Sequence, residues 1–302
     1  MSIDVVIRQK GFFKKILPLS VILGDHLVGG TYDQHFRLEE GHVSPGGEMA
    51  VYDPAHKARG FTVTWSCKSA TLRALNPTTA HELEDFYAAV ERIMGYWNAT
   101  LEVDGFKNVP LQTFLDGRSA MIQHNEQYLA RFLEKTMDKK PLESVTLFSA
   151  LWPLELGAKE AAEIRNAPEG IPARFAGWLH ELQSADTYYA AVGYTEEADG
   201  IVGRFAFTED CDSLFPVKPS VPFGVTSSDG QPFEVSRYEV AVFSTTTQSV
   251  IGKLPYDAFM TALSPNKVSY YDAKRVRIAP HSLAELKELI AKAGSDPVVH
   301  FT

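Results

Sequence analysis

The chain has 302 residues, 45% of them apolar, and a net charge of −9 from 38 acidic against 29 basic side chains. That length and apolar content supply a full core without metal or disulfide staples, and the excess of acid repels phosphate backbones, which removes general nucleic-acid binding. Two widely separated cysteines, Cys67 and Cys211, have no CxxC spacing and read as free thiols in a reducing compartment.

Ser2 to Arg8 alternates as a strand, with Ile3, Val5 and Ile7 on one face. Asp4 and Arg8 interrupt this apolar stretch, so it is no signal peptide. Ile16 to Leu23 contains Pro18 and Ser20 and falls far short of the roughly 20 apolar residues that a membrane span needs. The expectation is a cytoplasmic protein with no membrane partner and no nucleic-acid partner. Arg8, Lys10, Lys14 and Lys15 make the start locally basic and read as a solvated strand face.

Glycines punctuate residues 12–51 into short strands and turns. Phe61, Val63 and Trp65 then alternate with Thr62 and Thr64, and Ala70, Leu72 and Ala74 repeat the pattern, which predicts a hairpin. Thr79 to Trp97 is the strongest helix. Thr79 with Glu82 spells a capping box, and Leu83, Phe86, Tyr87, Val90, Ile93, Met94 and Trp97 form one apolar stripe. A strand at Leu101 to Val103 leads into the turn pair Asp104–Gly105, and a second long helix spans Ser119 to Met137. Lys139–Lys140–Pro141 marks a boundary between halves at 1–140 and 141–302.

In the second half, Thr146 to Leu151 reads as a strand and Ala158 to Asn166 as a helix, and Pro172 opens another helix. Tyr188 to Tyr194 and Ile201 to Phe207 flank an acidic turn as a hairpin. Strands at Tyr238 to Phe243, Ser249 to Leu254 and Val276 to Ile278 follow, with a short helix after Pro255. Ser282 and Glu285 cap a final helix that Gly294 stops, and Val298 to Phe301 is strand-like. Strands that arrive as hairpins with isolated helices define the α+β class, mainly antiparallel sheets with helices on one face. A Pro-x-x-x-Phe step at Pro110–Phe114 and Pro255–Phe259 allows the halves to be similar, or one continuous domain.

The chain carries no phosphate-binding GxxxxGK[ST], no GxGxxG, no GxSxG and no HExxH, so no motif implies a cofactor. One segment stands out. His26, His35, His42 and His56, four of the nine histidines, fall within residues 26–56 among Asp25, Asp33, Glu39, Glu40, Asp53 and Arg59. Imidazoles and carboxylates together hold divalent metals or act as acid and base. His26, His35 and His42 are the candidate metal ligands, and Asp53, His56 and Arg59 the candidate catalytic group. Against that reading, the spacings are irregular, and Asp53–Pro54 is an ordinary turn initiator. Cys211 lies among acids that disfavour a thiolate. Cys67, at a strand end, reads as a small buried hydrophobe, and His180–Glu181 as a solvent-facing helix pair.

Arg8–Gln9–Lys10–Gly11–Phe12–Phe13, Val51–Tyr52–Asp53–Pro54, Arg59–Gly60–Phe61 and the aromatic, acidic helix beginning at Thr79 resemble an uncharacterised bacterial family of unknown function, number 4299. The resemblance covers essentially the whole chain, implies a bacterial cytosolic origin, and supplies no catalytic residues to carry over. Missing motifs therefore favour a non-enzymatic protein that works by binding an unknown protein or small molecule. The alternative is a metal-dependent hydrolase built on residues 25–60, and convergence of two or more of these histidines on Asp53 in a pocket would favour it.

Overall fold

Alternation along the first strand dictates the layer arrangement that follows. In β1 (Ser2–Gln9) every second side chain is buried, as expected of a strand with one face on a core. The structure, a computed structural model, describes every residue except 1, 42, 44, 141–142, 222–224, 227–229, 232 and 295–302. It divides into two compact units, Met1–Ala185 and Asp186–Thr302.

The first unit continues with α1 (Leu19–Leu23), β2 (Val28–Tyr32), β3 (Leu38–Glu40), β4 (Glu48–Tyr52), β5 (Phe61–Trp65), β6 (Ser69–Leu75), α2 (Ala80–Tyr96), β7 (Ala99–Val103) and β8 (Phe106–Lys107). The eight strands β1 to β8 form one antiparallel sheet in the order β3-β2-β4-β5-β6-β1-β7-β8. Register places like with like across it. Val51, Phe61, Ala74 and Ile3 lie opposite one another in turn, as do Met49, Val63, Leu72 and Val5. Directly opposed residues share a face, so the sheet presents one continuous apolar surface. Leu83, Phe86, Val90 and Ile93 of α2 close over it in the same core. Each of these side chains contributes about 1.5–3 kcal/mol by leaving water.

Beyond the sheet come α3 (Leu111–Asp116), α4 (Arg118–Met137), β9 (Ser144–Leu147), β10 (Leu154–Gly157), α5 (Ala158–Arg165) and α6 (Ile171–Ser184). The boundary expected at Pro141 falls on residues outside those described. The elements on either side of it, α4 and β9, belong to the same unit, and the units divide instead at Ala185/Asp186.

The second unit comprises β11 (Tyr188–Tyr189), β12 (Gly193–Glu197), β13 (Gly200–Thr208), β14 (Ser213–Pro216), β15 (Val235–Ser244), β16 (Ser249–Pro255), α7 (Tyr256–Ala262), β17 (Val268–Asp272), β18 (Arg275–Ile278) and α8 (Leu283–Ala293). They form two four-stranded sheets, β11-β14-β18-β17 and β12-β13-β15-β16, antiparallel except where β11 meets β14 and β13 meets β15. An eight-stranded sheet and the small β10-β9 sheet against two four-stranded ones make the units dissimilar, and the shared Pro-x-x-x-Phe step only marks the start of α3 and α7. The hairpin expected from Tyr188 forms from Gly193 onward, because Tyr188 and Tyr189 pair with β14 in the other sheet. The expected strand at 298–301 lies outside the described residues.

The architecture is α+β, as the sequence indicates. Among the described residues no helix is long and apolar enough to cross a membrane. Cys67 departs from expectation: it sits exposed in the turn between β5 and β6, past the last alternating position.

Candidate functional site

Asp53 follows directly on β4 and organises a turn. Its Oδ1 accepts the Ala55 N–H at 2.8 Å, and its backbone carbonyl accepts the His56 N–H at 3.1 Å. A side chain that folds back on its own turn in this way is the usual use of Asp before Pro. The other oxygen, Oδ2, is left for two imidazoles. His56 Nδ1 lies 2.8 Å away and His81 Nε2 2.9 Å away, and the two rings meet with centroids 4.0 Å apart.

His81 and Asp85 stand one turn apart on α2, so both project from one face of that helix. Asp85 Oδ2 is 3.6 Å from His81 Nε2, while its Oδ1 is 2.9 Å from Nε2 of His26, in the loop after α1. Five side chains from three separate segments thus converge. Two sets of three potential ligand atoms, Asp53–His56–His81 and His26–Asp53–Asp85, each lie within 4.8 Å of one another and share Asp53. The carboxylates form a buried floor, Asp53 and Asp85 each being 7% exposed, and the imidazoles form an accessible rim. Burial by itself raises the Asp53 carboxyl; hydrogen bonds from His56, the Ala55 N–H and His81 outweigh it and hold the group at about 2. Asp53 is therefore anionic at neutral pH.

A cleft of about 410 Å³ adjoins this rim, with His56, Lys57 and His81 on one side and Pro172, Ala176 and His180 of α6 on the other. The Lys57 N–H donates to His180 Nδ1 at 3.2 Å. A neutral His180 ring then carries its proton on Nε2, which faces the Ser184 hydroxyl at 3.3 Å. His180 is half-buried in the cleft wall rather than solvent-facing.

Arg59 stands elsewhere. Its buried guanidinium donates from Nε to the Phe148 carbonyl at 3.0 Å and from Nη1 to the Pro77 carbonyl at 3.1 Å. Glu82 is the matching buried anion: it accepts the Gly60 N–H at 2.5 Å and the Thr78 hydroxyl. Thr79 caps α2 by accepting the Glu82 N–H at 3.1 Å, but the Glu82 side chain does not complete the expected box, because Gly60 and Thr78 take it. Gly60 sits at φ +72°, where an L side chain is strained, and the carbonyl of Val51 lies 3.1 Å from where a Cβ would be. Burial pushes the Glu82 carboxyl up and the Arg59 guanidinium down, against the attraction between them. Arg59 therefore ties the 53–60 turn and the start of α2 together; it is a positioning residue for the site.

Of the other sequence candidates, His26 joins the site through Asp85. His35 is buried in a separate turn, where Asp33 accepts its N–H at 2.7 Å and its Nε2 meets Gln34 at 3.3 Å. His42 lies outside the described residues. Sequence reading missed His81, Asp85, Lys57 and the cleft-facing role of His180. A His-x-x-x-Asp step just inside a capped helix is the available signal for His81 and Asp85, overlaid there by the capping box and the apolar stripe of the same helix.

Fold and site together define a two-unit α+β protein with a histidine–aspartate cluster at the edge of a cleft. Residues 2–289 match the model of a family described as Domain of unknown function (DUF4299), and the chain belongs to that family. No curated protein and no solved structure matches the chain.

Proposed function

We propose that the chain is a metal-dependent hydrolase of a bacterial cytoplasm, which holds a divalent cation of the zinc class at Asp53, His56 and His81. The observation that carries this reading is the convergence on Asp53 of two imidazoles from separate segments, His56 and His81, beside a cleft, with His26 on the neighbouring Asp85. Two imidazoles and a carboxylate with the remaining position open make up the usual donor set of a catalytic zinc. Ligands bound to a tetrahedral metal at about 2.0–2.1 Å stand about 3.3 Å apart. The observed 2.8 and 2.9 Å contacts would open by about half an ångström, a small rotation for rim imidazoles. A cation there activates a water at neutral pH. Lys57 lines the same cleft, where its Nζ donates to the Gln183 carbonyl at 3.4 Å.

Isothermal titration of the chelator-treated protein with Zn(II) and Mn(II) tests the site. Stoichiometric binding is expected, weakened at least about tenfold by H56A/H81A, in line with loss of ligands. Hydrolysis of small ester and phosphoester substrates, silenced by Asp53→Asn, tests the chemistry. The hydrogen-bond distances favour a second reading, in which the cluster is the metal-free polar rim of a binding cleft and no bond is broken. Absence of cation binding in the titration would select it.

A further inference from the structure

From Val5 to Gly24 the chain contains no acidic residue, yet it carries Arg8, Lys10, Lys14 and Lys15 in a protein of net charge −9. Residues 10–16 form a loop that leaves the end of β1, and all seven are exposed. At its tip stand Phe12 and Phe13, 92% and 90% exposed, followed by Ile16 at 76%. The two rings meet edge to face with centroids 5.6 Å apart.

The loop is held at its base. Gln9 Oε1 accepts the Lys15 N–H at 2.7 Å, and Gln9 Nε2 donates to the Lys15 carbonyl at 2.9 Å. Trp97 Nε1 donates to that same carbonyl at 3.1 Å, the Lys10 N–H donates to Asn98 at 2.7 Å, and Leu17 is buried in the core. Closed at both ends, the loop keeps its apolar tip in water. The basic stretch is thus a presented loop rather than a solvated strand face.

We infer that this loop is a docking site for an anionic phospholipid bilayer, with Phe12, Phe13 and Ile16 entering the interface and the flanking lysines meeting the headgroups. Apolar side chains ringed by lysines bind such surfaces by combining apolar burial with attraction to anionic lipid. The chain carries a net charge of −9, so attraction to an anionic surface has to come from a local basic group such as this one. A second copy of the chain is a poorer occupant, because pairing two loops brings like charges together.

Co-sedimentation with phosphatidylcholine vesicles, with and without phosphatidylserine, tests the inference. The wild-type chain is expected to sediment with the phosphatidylserine vesicles only, and less so as salt rises. The F12A/F13A and K10E variants are each expected to lose at least about tenfold in that binding. Unchanged thermal unfolding of the variants checks that exposed positions alone were altered. Failure of the wild type to bind phosphatidylserine vesicles overturns the inference, as does wild-type binding by F12A/F13A. Self-association without vesicle binding, lost in F12A/F13A, overturns it in favour of a second copy.

Discussion

Replacing Asp53 by Asn keeps the shape of the side chain and removes its charge, which isolates what the two imidazoles and the turn do for stability. The Asp53 carboxyl ordinarily titrates at 3.8 and is held at about 2 in the folded chain. At about 1.4 kcal/mol per unit of pKa, that lowering stabilises the fold by about 2 kcal/mol at neutral pH. The sign follows from linkage: a depressed acid stabilises fully above its unfolded value and loses that contribution as pH falls toward its folded one. D53N is therefore expected to unfold about 2 kcal/mol more easily at pH 7 in the presence of chelator. For a unit of this size that is about 4–8 °C in melting temperature. The gap should narrow between pH 5 and pH 3 as the wild-type carboxyl protonates in the unfolded chain. Urea unfolding followed by tryptophan fluorescence reads the right unit, since Trp65, Trp97, Trp152 and Trp178 all lie before Ala185. Equal stability of D53N and wild type at pH 7, or a gap that does not change with pH, would refute the reasoning.

Glu82→Ala leaves the Gly60 N–H and the Thr78 hydroxyl without their buried acceptor and removes the negative charge that offsets the buried Arg59, and should destabilise the first unit by about 3–5 kcal/mol in the same urea assay. It should also weaken cation binding at Asp53 and His56, which a purely local structural role would leave unaltered; Glu82→Gln should restore part of both. In the second unit Ser282 and Glu285 form a complete capping box on α8, so Ser282→Ala should cost about 1 kcal/mol. Faster amide hydrogen exchange across Leu283–Ala293 is the readout.

Much of the fold is legible because period and capping act locally. The alternation in β1, β5 and β6, the stripe on α2 and the box at Ser282 each depend on residues within one element, and each forms where its pattern lies. Glu82 shows where local reading stops. The Thr79–Glu82 spacing is that of a capping box, but the Gly60 N–H 22 positions upstream and the Thr78 hydroxyl compete for the carboxylate and win. Tyr188 is a similar case: it carries strand character, and which sheet it joins is settled by β14.

The site divides along the same line. The density of histidine and carboxylate between residues 25 and 60 is a property of the sequence, and it singled out His26, Asp53 and His56. Whether they meet is a property of the tertiary structure. His81 and Asp85 arrive on a helix nearly thirty residues downstream, and His35 and Arg59, equally plausible by position, are turned to other partners. The basic start of the chain follows the same rule, since its charge is readable in order while the exposure of Phe12 and Phe13 depends on Gln9 and Trp97 closing the loop beneath them. Sequence by itself determined the class, the strongest strands and helices and the chemical inventory, because these are set by neighbours along the chain; it did not reach α1, β10, β14 and β17, and the strand expected at Thr146–Leu151 forms at Ser144–Leu147. Only the tertiary structure decided which charges share a site and which apolar side chains stay in water, because those depend on contacts between residues far apart in sequence.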